Sequence, residues 1–429
     1  MEVTQDAYKD TKVGRIPKDW EVVNLDYVLE EFQNGYAFSS KGYLDRGTPI
    51  VSMAYIGLKG QFNFDYQKAK YWNSEEKNKL ANYVLRKGDL LIAMTDVTPA
   101  KNLIGRMIII DIDDEFFLNQ RVGLLRCNSK IDPKFLMYFG NGRYWRHYSM
   151  SYSTLGVQTN LGTKEIKKGK IPLPSKPEQQ KIAEILSTVD EQIATTGKII
   201  EKSKELKKGL MQKLFSQGIG HTEFKDTKIG RIPKDWKVIF LKDCCEINKD
   251  SLPSSTKGDY SFYYLDLSLV KKGVIDFPMT KVEFKNAPSR AKRKINKGDV
   301  LMSTVRPNLL GNAYVTFDSE EYIVSTGFAV LSCLKDISSE FLYHYLYCRM
   351  MQYQIETALI GSSYPAINSK DISILKVPLP PIAEQQKIAA ILSETDAKIR
   401  KEQTQKLQLE ALKKGLMQQL LTGKKRVVV

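Results

Sequence analysis

The sequence predicts an α+β chain built as a pseudo-twofold tandem repeat, in which two α+β globules are separated by a long antiparallel two-helix coiled coil. Three observations predict it: a set of motifs that occurs twice, two uninterrupted helical stripes, and two inserts rich in short strands. With 429 residues the chain has room for two to four domains and sizeable cores. Its 42% hydrophobic, 27% charged and 10% aromatic content excludes a disordered or low-complexity chain.

The repeat is the strongest signal. TKVGRIPKDW (Thr11 to Trp20) returns as TKIGRIPKDW (Thr227 to Trp236), differing only at Val13 and Ile229. IPLPSKPEQQKIAEIL (Ile171 to Leu186) pairs with VPLPPIAEQQKIAAIL (Val377 to Leu392), and LKKGLMQ occurs at Leu206 to Gln212 and at Leu412 to Gln418. The tryptophan motifs lie 216 residues apart and the other two sets 206 apart, so the first insert is ten residues longer. Between the frames only islands match, such as RKGDLLIAMT against NKGDVLMSTV and RVGLLRC against GFAVLSC. Frames are kept while contents diverge, as expected of two modules with one scaffold role and two targets.

From Pro177 to about Phe215, and again from Ala383 to about Leu421, apolar residues recur at helical spacing with no internal proline. Prolines crowd each start, where a helix tolerates them, and Glu178 suits the positive end of the dipole. Gly218 and Gly423 mark the ends. At about 1.5 Å per residue each helix is roughly 58 Å long, too long to bury its stripe in one globule. The other copy is its natural partner, antiparallel so that equivalent units close by pseudo-twofold symmetry. The expected seam is Ile182, Ile185, Val189, Ile193, Ile200, Leu210 and Leu214 on the first helix, with Ile388, Ile391, Ile399, Leu412, Leu416 and Leu420 on the second. Met211 and Met417 read as seam filler.

Strands are predicted at VLRKGDLLIAM, RMIIID and RVGLLRC in the first insert, and at FYYLDL, DVLMSTV, AYVTF and GFAVLSC in the second. Helical stretches follow near Pro133 to His147 and Ser338 to Glu356. The expected domains are residues 1–170, a long helix in 171–218, residues 219–376, and a second long helix with a basic tail in 377–429.

Five cysteines form no CxxC pair and three histidines are scattered, so neither a disulfide framework nor a structural zinc is expected. Adjacent Cys244 and Cys245 read as small buried residues near a strand start. No GxxxxGK[ST] phosphate loop, no Asn/Asp-Pro-Pro-aromatic loop of a base methyltransferase and no GxSxG elbow occurs. Asp276, Glu283 and Lys285 resemble a magnesium nuclease set, but such triplets arise freely in a chain with 65 basic and 49 acidic residues. The chain therefore reads as a binding protein with no catalytic residue and no metal of its own. No apolar run could cross a bilayer, and a cytoplasmic location with no membrane partner is the expectation.

The net charge of +16 attracts polyanions. SRAKRKINKG contributes Arg290, Lys292, Arg293, Lys294 and Lys297, and TVRPNLLGN places Arg306 and Asn308 after a predicted strand. Arginine pairs bidentately with guanine and asparagine with adenine, whereas lysines track phosphates. The equivalent stretch of the first insert, TDVTPAKNLIG, supplies Thr98, Lys101 and Asn102. Two Gly-flanked loops add Gln158, Thr159 and Asn160, and Ser362, Ser363 and Tyr364. Together these are the candidate DNA contacts.

The order of motifs, an IPKDW opening, a variable insert and a PLPxxxEQQKIA helix ending in LKKGLMQ, then all of it again, resembles the specificity subunit of type I restriction-modification systems. The likeness spans nearly the whole chain. It implies two target recognition domains, opened by Trp20 and Trp236, that read the halves of an asymmetric bipartite site in double-stranded DNA. It implies that the helices Glu178 to Phe215 and Glu384 to Leu421 are both spacer and docking surface for methyltransferase subunits, which carry S-adenosylmethionine. Restriction subunits would supply ATP- and Mg²⁺-dependent translocation and cleavage, so no cofactor is expected on this chain. Base contacts do not transfer, because the inserts are the family's variable part. The rival readings are a coiled-coil adaptor that never touches DNA and a stand-alone nuclease or methyltransferase.

Overall fold

A computed structural model describes residues 7–98, 100–154, 159–359 and 365–428. The chain divides into two units: residues 1–197 with 404–429, and residues 198–403. The divisions fall inside the two long helices, Lys176–Gln217 of 42 residues and Ile382–Leu420 of 39. Each unit thus holds the first half of one helix and the second half of the other.

The two four-stranded sheets have the same strand order in both units although the inserts share little sequence. In unit 1 the antiparallel sheet runs Met107–Ile109, Leu90–Ala93, Val122–Cys127, Leu29–Asn34. Unit 2 repeats it as Ala313–Tyr314, Val300–Ser303, Phe328–Cys333, Cys245–Ile247. A second, mixed sheet runs Tyr71–Trp72, Thr48–Val51, Phe116–Leu118, Val84–Leu85 in unit 1, and Val282–Glu283, Ser261–Leu265, Tyr322–Ser325, Ala291–Lys294 in unit 2. In each, the two central strands are parallel. The buried strands Leu90–Ala93 and Val300–Ser303 are apolar almost throughout because both faces are covered.

Each expected helical stretch after the sheets is two helices. The first splits at Gly142 into Pro133–Asn141 and Arg143–Ser151, the second into Ser339–Tyr345 and Arg349–Ala358. Gly142 and Cys348 are extended, which starts a new helix in a new direction.

The framing motifs act together as one joint per unit. The strand after each tryptophan pairs antiparallel with the strand leading into the long helix, Glu21–Asn24 with Lys170–Leu173 and Lys237–Phe240 with Lys376–Leu379. Gln179 then accepts from the Asp132 amide and donates to the Lys130 and Pro174 carbonyls; Gln385 does the same with Ser338, Asp336 and Pro380. Both glutamines are fully buried, so these bonds satisfy groups that water cannot reach. The far end of the opposite helix finishes the joint. In unit 1 Leu420 and Leu421 enter the core of Trp20, Ile182 and Leu186, and in unit 2 Leu214 and Phe215 enter that of Trp236, Ile388 and Leu392. Gly423 and Gly218 end the helices with φ of 65° and 63°. A Cβ at Gly423 would sit 2.4 Å from Pro17, and one at Gly218 2.8 Å from the Trp236 ring, so glycine is required twice over.

Within each unit the helix halves run antiparallel. In unit 1 Lys413 Nζ meets Asp190 Oδ1 at 2.6 Å, and seven residues further along one helix Gly197 faces Lys406, seven residues back on the other. In unit 2 Lys207 pairs with Asp396 at 2.6 Å, and Glu384 accepts from the Ile219 amide.

The seam is more polar than a hydrophobic stripe suggests. Of the expected seam residues, Ile182, Val189, Ile200, Leu214, Ile388, Ile399 and Leu420 are buried, while Ile185, Ile193, Leu210 and Leu416 are half-buried. Ile391 and Leu412 are exposed, 37% and 51%, because the inward face passes through Leu392 and Lys413 instead. Small polar Thr196 and Ser203 are buried alongside. Cys244 and Cys245 lie buried at the start of the Cys245–Ile247 strand, and every cysteine is a free thiol.

Candidate nucleic-acid interface

In each unit the described parts of the two candidate loops come together at the end of the first sheet. In unit 1 the strand Thr95–Asp96 pairs with Thr159–Asn160, Thr159 opposite Asp96. The loop between Asp96 and Ile104 is wrapped around one buried carboxylate. Asp96 Oδ1 accepts from the Thr98 amide at 2.7 Å and its hydroxyl at 2.8 Å, and Oδ2 from the Leu103 and Ile104 amides at 2.6 and 3.3 Å. Burial alone would raise the Asp96 carboxyl, but these hydrogen bonds outweigh it and hold it below the usual carboxylate range. Lys101 takes a left-handed φ of 47° at the tip.

Three of the loop's expected contacts thereby acquire definite positions. Asn102 is exposed and Lys101 half-buried, whereas the Thr98 hydroxyl already donates to Asp96 and keeps only acceptor capacity. Thr159 is fully buried and Asn160 exposed, so the first supports the loop from below while the second stands at its surface. Gln158, Ser362, Ser363 and Tyr364 lie outside the described residues.

Unit 2 builds the same place differently. Thr304 donates through its amide and hydroxyl to the Gly327 carbonyl, both at 2.8 Å, and Val305 bridges Ala366. The Arg306 amide donates to Pro365 at 2.7 Å. Arg306 and Leu310 both take left-handed φ, 48° and 58°, around the buried Pro307. This turn presents Arg306, Asn308 and Leu309 outward, with Leu309 61% exposed. The loop closes on buried Asn312, whose side-chain oxygen accepts from the Ser303 amide at 3.1 Å.

The basic stretch from Arg290 to Lys297 is not one loop. Ala291–Lys294 is an edge strand of the second sheet. Arg290 stands at the loop end, its carbonyl accepting from Thr326 beside Gly327. Lys294 lies at the opposite end, its amide bonded to Asp250; Lys292 sits 4.4 Å over the Phe284 ring; Arg293 is half-buried; Lys297 is exposed. Only Arg290 of these five shares the loop end with Arg306 through bonds the structure shows.

Two groups escaped the sequence reading, Asp96 and the pair Arg106 and Arg146, whose guanidiniums donate to the Lys101 and Asn102 carbonyls. The first had a signal: Asp followed two residues later by Thr, before Pro, is an Asx-type turn start. The arginines had none: Arg106 follows the loop at the start of a predicted strand, and Arg146 lies about forty residues further on. Of the residues weighed as a nuclease set, Glu283 and Lys285 pair with each other at 3.0 Å. Among the described residues no group of three His, Cys, Asp or Glu side chains could hold a metal ion, and no helix is long and apolar enough to cross a membrane.

Each unit thus carries one loop cluster at the end of its first sheet, with Asn102 and Asn160 exposed in unit 1 and Arg306 and Asn308 in unit 2. The family model described as the type I restriction modification DNA specificity domain matches residues 17–205 and again 233–411. The chain belongs to this family, one of DNA recognition rather than catalysis. It is 32% identical over 440 residues to a Methanocaldococcus jannaschii chain named as the MjaX type I restriction enzyme specificity subunit, covering 99% of this chain and 97% of that one. It is 26% identical to the MjaVIII specificity subunit of the same organism, again over 99% and 97%. The crystal structure of a type I restriction-modification S subunit from M. genitalium shares the fold, with a TM-score of 0.57 at 16% identity over 94% of this chain and 96% of that one.

Proposed function

We propose that the two units read the two halves of an asymmetric bipartite site in double-stranded DNA, and that the helices hold the methyltransferase subunits that modify it, with restriction subunits joining that complex. The observation that carries this is the pair of equivalent loop clusters built from different residues: one topology, an Asp96-centred loop in one unit and an Arg306–Leu310 turn around Pro307 in the other. Same framework with different contacts is what reading two different half-sites requires. Reading heads on one face of a duplex engage grooves about a helical turn or a multiple apart, so a target gap of constant length is part of this reading.

Partner docking is supported by what the helices leave uncovered. Ile199, Leu206, Ile391, Leu407 and Leu412 are exposed on elements whose sequence frames recur, and in unit 1 a groove of about 1230 Å³ opens between Arg143, His147, Lys414 and Met417. S-adenosylmethionine, ATP and Mg²⁺ belong, in this reading, to the partner subunits. A mobility shift on a duplex library, with the chain alone and with its methyltransferase subunit, tests the reading. Selective retention of one two-part sequence supports it; complex formation with no DNA retention would favour the adaptor.

A further inference from the structure

We propose that Arg106 and Arg146 are positioning residues that fix the reading conformation of the unit 1 loop, and so set the first half-site, without touching bases themselves. The inference rests on the DNA-reading function above.

The loop is held from two sides. Inside, Asp96 gathers its amides. Outside, Arg146 Nη2 donates to the Asn102 carbonyl at 3.0 Å and the Lys101 carbonyl at 3.4 Å, while Arg106 Nε donates to the same Asn102 carbonyl at 2.9 Å. These carbonyls belong to the two peptides that follow Lys101, the one non-glycine residue with positive φ among the described residues of the loop. A left-handed residue persists only where its surroundings over-determine it, and here two planar guanidiniums grip the two peptides that follow it. With both carbonyls and the Lys101 amide engaged, what this tip presents to solvent is chiefly the exposed Asn102 side chain, with Lys101 half-buried beside it.

The choice of arginine is what links this clasp to DNA. A neutral amide could bond the same carbonyls. Instead two positive charges face one loop, neither in an ion pair among the described residues, and Arg146 Nη1 is buried without a hydrogen-bond partner. Burial, and then Arg106, work against the Arg146 charge, with the buried Asp96 carboxylate inside the loop offsetting them in part. That arrangement is costly in the free chain and is relieved when a polyanion approaches the loop. Unit 2 holds its turn with neutral groups: Tyr347 Oη and the Gly273 amide donate to the Asn312 carbonyl at 2.8 and 2.9 Å. The second half-site is therefore an internal control.

The test uses the full chain assembled with its methyltransferase subunit, selecting bound sequences from a randomised duplex library. Arg146→Met and, separately, Arg106→Met are expected to lose about tenfold discrimination at positions of the first half-site. The second half and the melting temperature should match the unsubstituted chain. Arg146→Lys, which keeps the charge but not the fork, should recover affinity at low salt and leave the first half degenerate. First-half sequences as sharp as those of the unsubstituted chain in both methionine variants would overturn the proposal and leave the function standing. So would loss of both halves together with a fall in melting temperature, which would mark a merely structural role. If the unsubstituted chain selects no two-part sequence, the function fails and the clasp with it.

Discussion

Trp20 Nε1 donates to Glu178 Oε2 at 3.0 Å, and Trp236 Nε1 donates to Glu384 Oε2 at the same 3.0 Å. This one relationship explains why IPKDW and EQQKIA, far apart in sequence, recur together. Each glutamate begins a long helix, where a carboxylate also answers the helix dipole, and each carries a second cationic or imidazole partner. In unit 1 that partner is Arg426, which grips Glu178 at 2.7 Å and Asp19 at 2.8 Å; in unit 2 it is His221, 2.9 Å from Glu384. Trp20→Phe leaves a buried carboxylate short of a donor and should lower unfolding free energy by about 2 kcal/mol, with Trp236→Phe acting alike. Urea denaturation of the single variants measures it.

Acid should weaken unit 2 first. His344 is buried, its Nε2 bonded to Ser393 Oγ at 2.9 Å, and Ser393 in turn donates to Glu340. Burial, and then the nearby Lys207 and Arg400 charges, lower its pKa to about 4, with Asp396 opposing them from 3.9 Å. The unfolded imidazole titrates near 6.5, so between about 6.5 and 4 the unfolded chain binds the extra proton. The contribution is complete above about pH 6.5 and is lost as pH falls through that window, about 3 kcal/mol in all. Unit 1 has Tyr138 in the equivalent place, bonded to Asp190 at 2.9 Å, with no such titration in this range. His344→Tyr should flatten the acid limb of a denaturation series run from pH 7.5 to 4.5.

The ion pairs on the seam should behave as units. Lys207 and Asp396 are both largely buried, their side chains 20% and 17% exposed. Lys207→Met strands the carboxylate and should cost about 2 to 3 kcal/mol, whereas Lys207→Met with Asp396→Leu should recover most of it. A double-mutant cycle by urea denaturation gives the coupling directly.

Salt should govern binding. Each phosphate neutralised lowers log affinity by about 0.9 per log unit of salt. Affinity titrations of the chain with its methyltransferase subunit from 50 to 300 mM salt should be steep and linear on that scale. A flat response would mean that the +16 charge serves another partner.

How much of this was legible in the sequence depends on the range of the interaction involved. The long helices were, because periodicity and terminal glycines are local: expected near 177–215 and 383–421, they span Lys176–Gln217 and Ile382–Leu420. The strands at Leu90–Ala93 and Val300–Ser303 were legible from their apolar runs. The inward turn of Asp190 and Lys413 was not. A charged residue reads as solvent-facing until the opposite charge, on the other helix, is known to meet it. The same holds for the site. Arg306 and Asn308 followed from a strand end and a turn, and both stand exposed. Asp96 was marked only by a local turn signal, and Arg146 by nothing, because only the fold brings that arginine to the loop.

The most direct measurement is methylome sequencing of cells expressing this chain with its methyltransferase subunit. The account predicts a single asymmetric motif of two specified blocks around a gap of constant length. A continuous or palindromic motif, or methylation unchanged by expressing the chain, would contradict it.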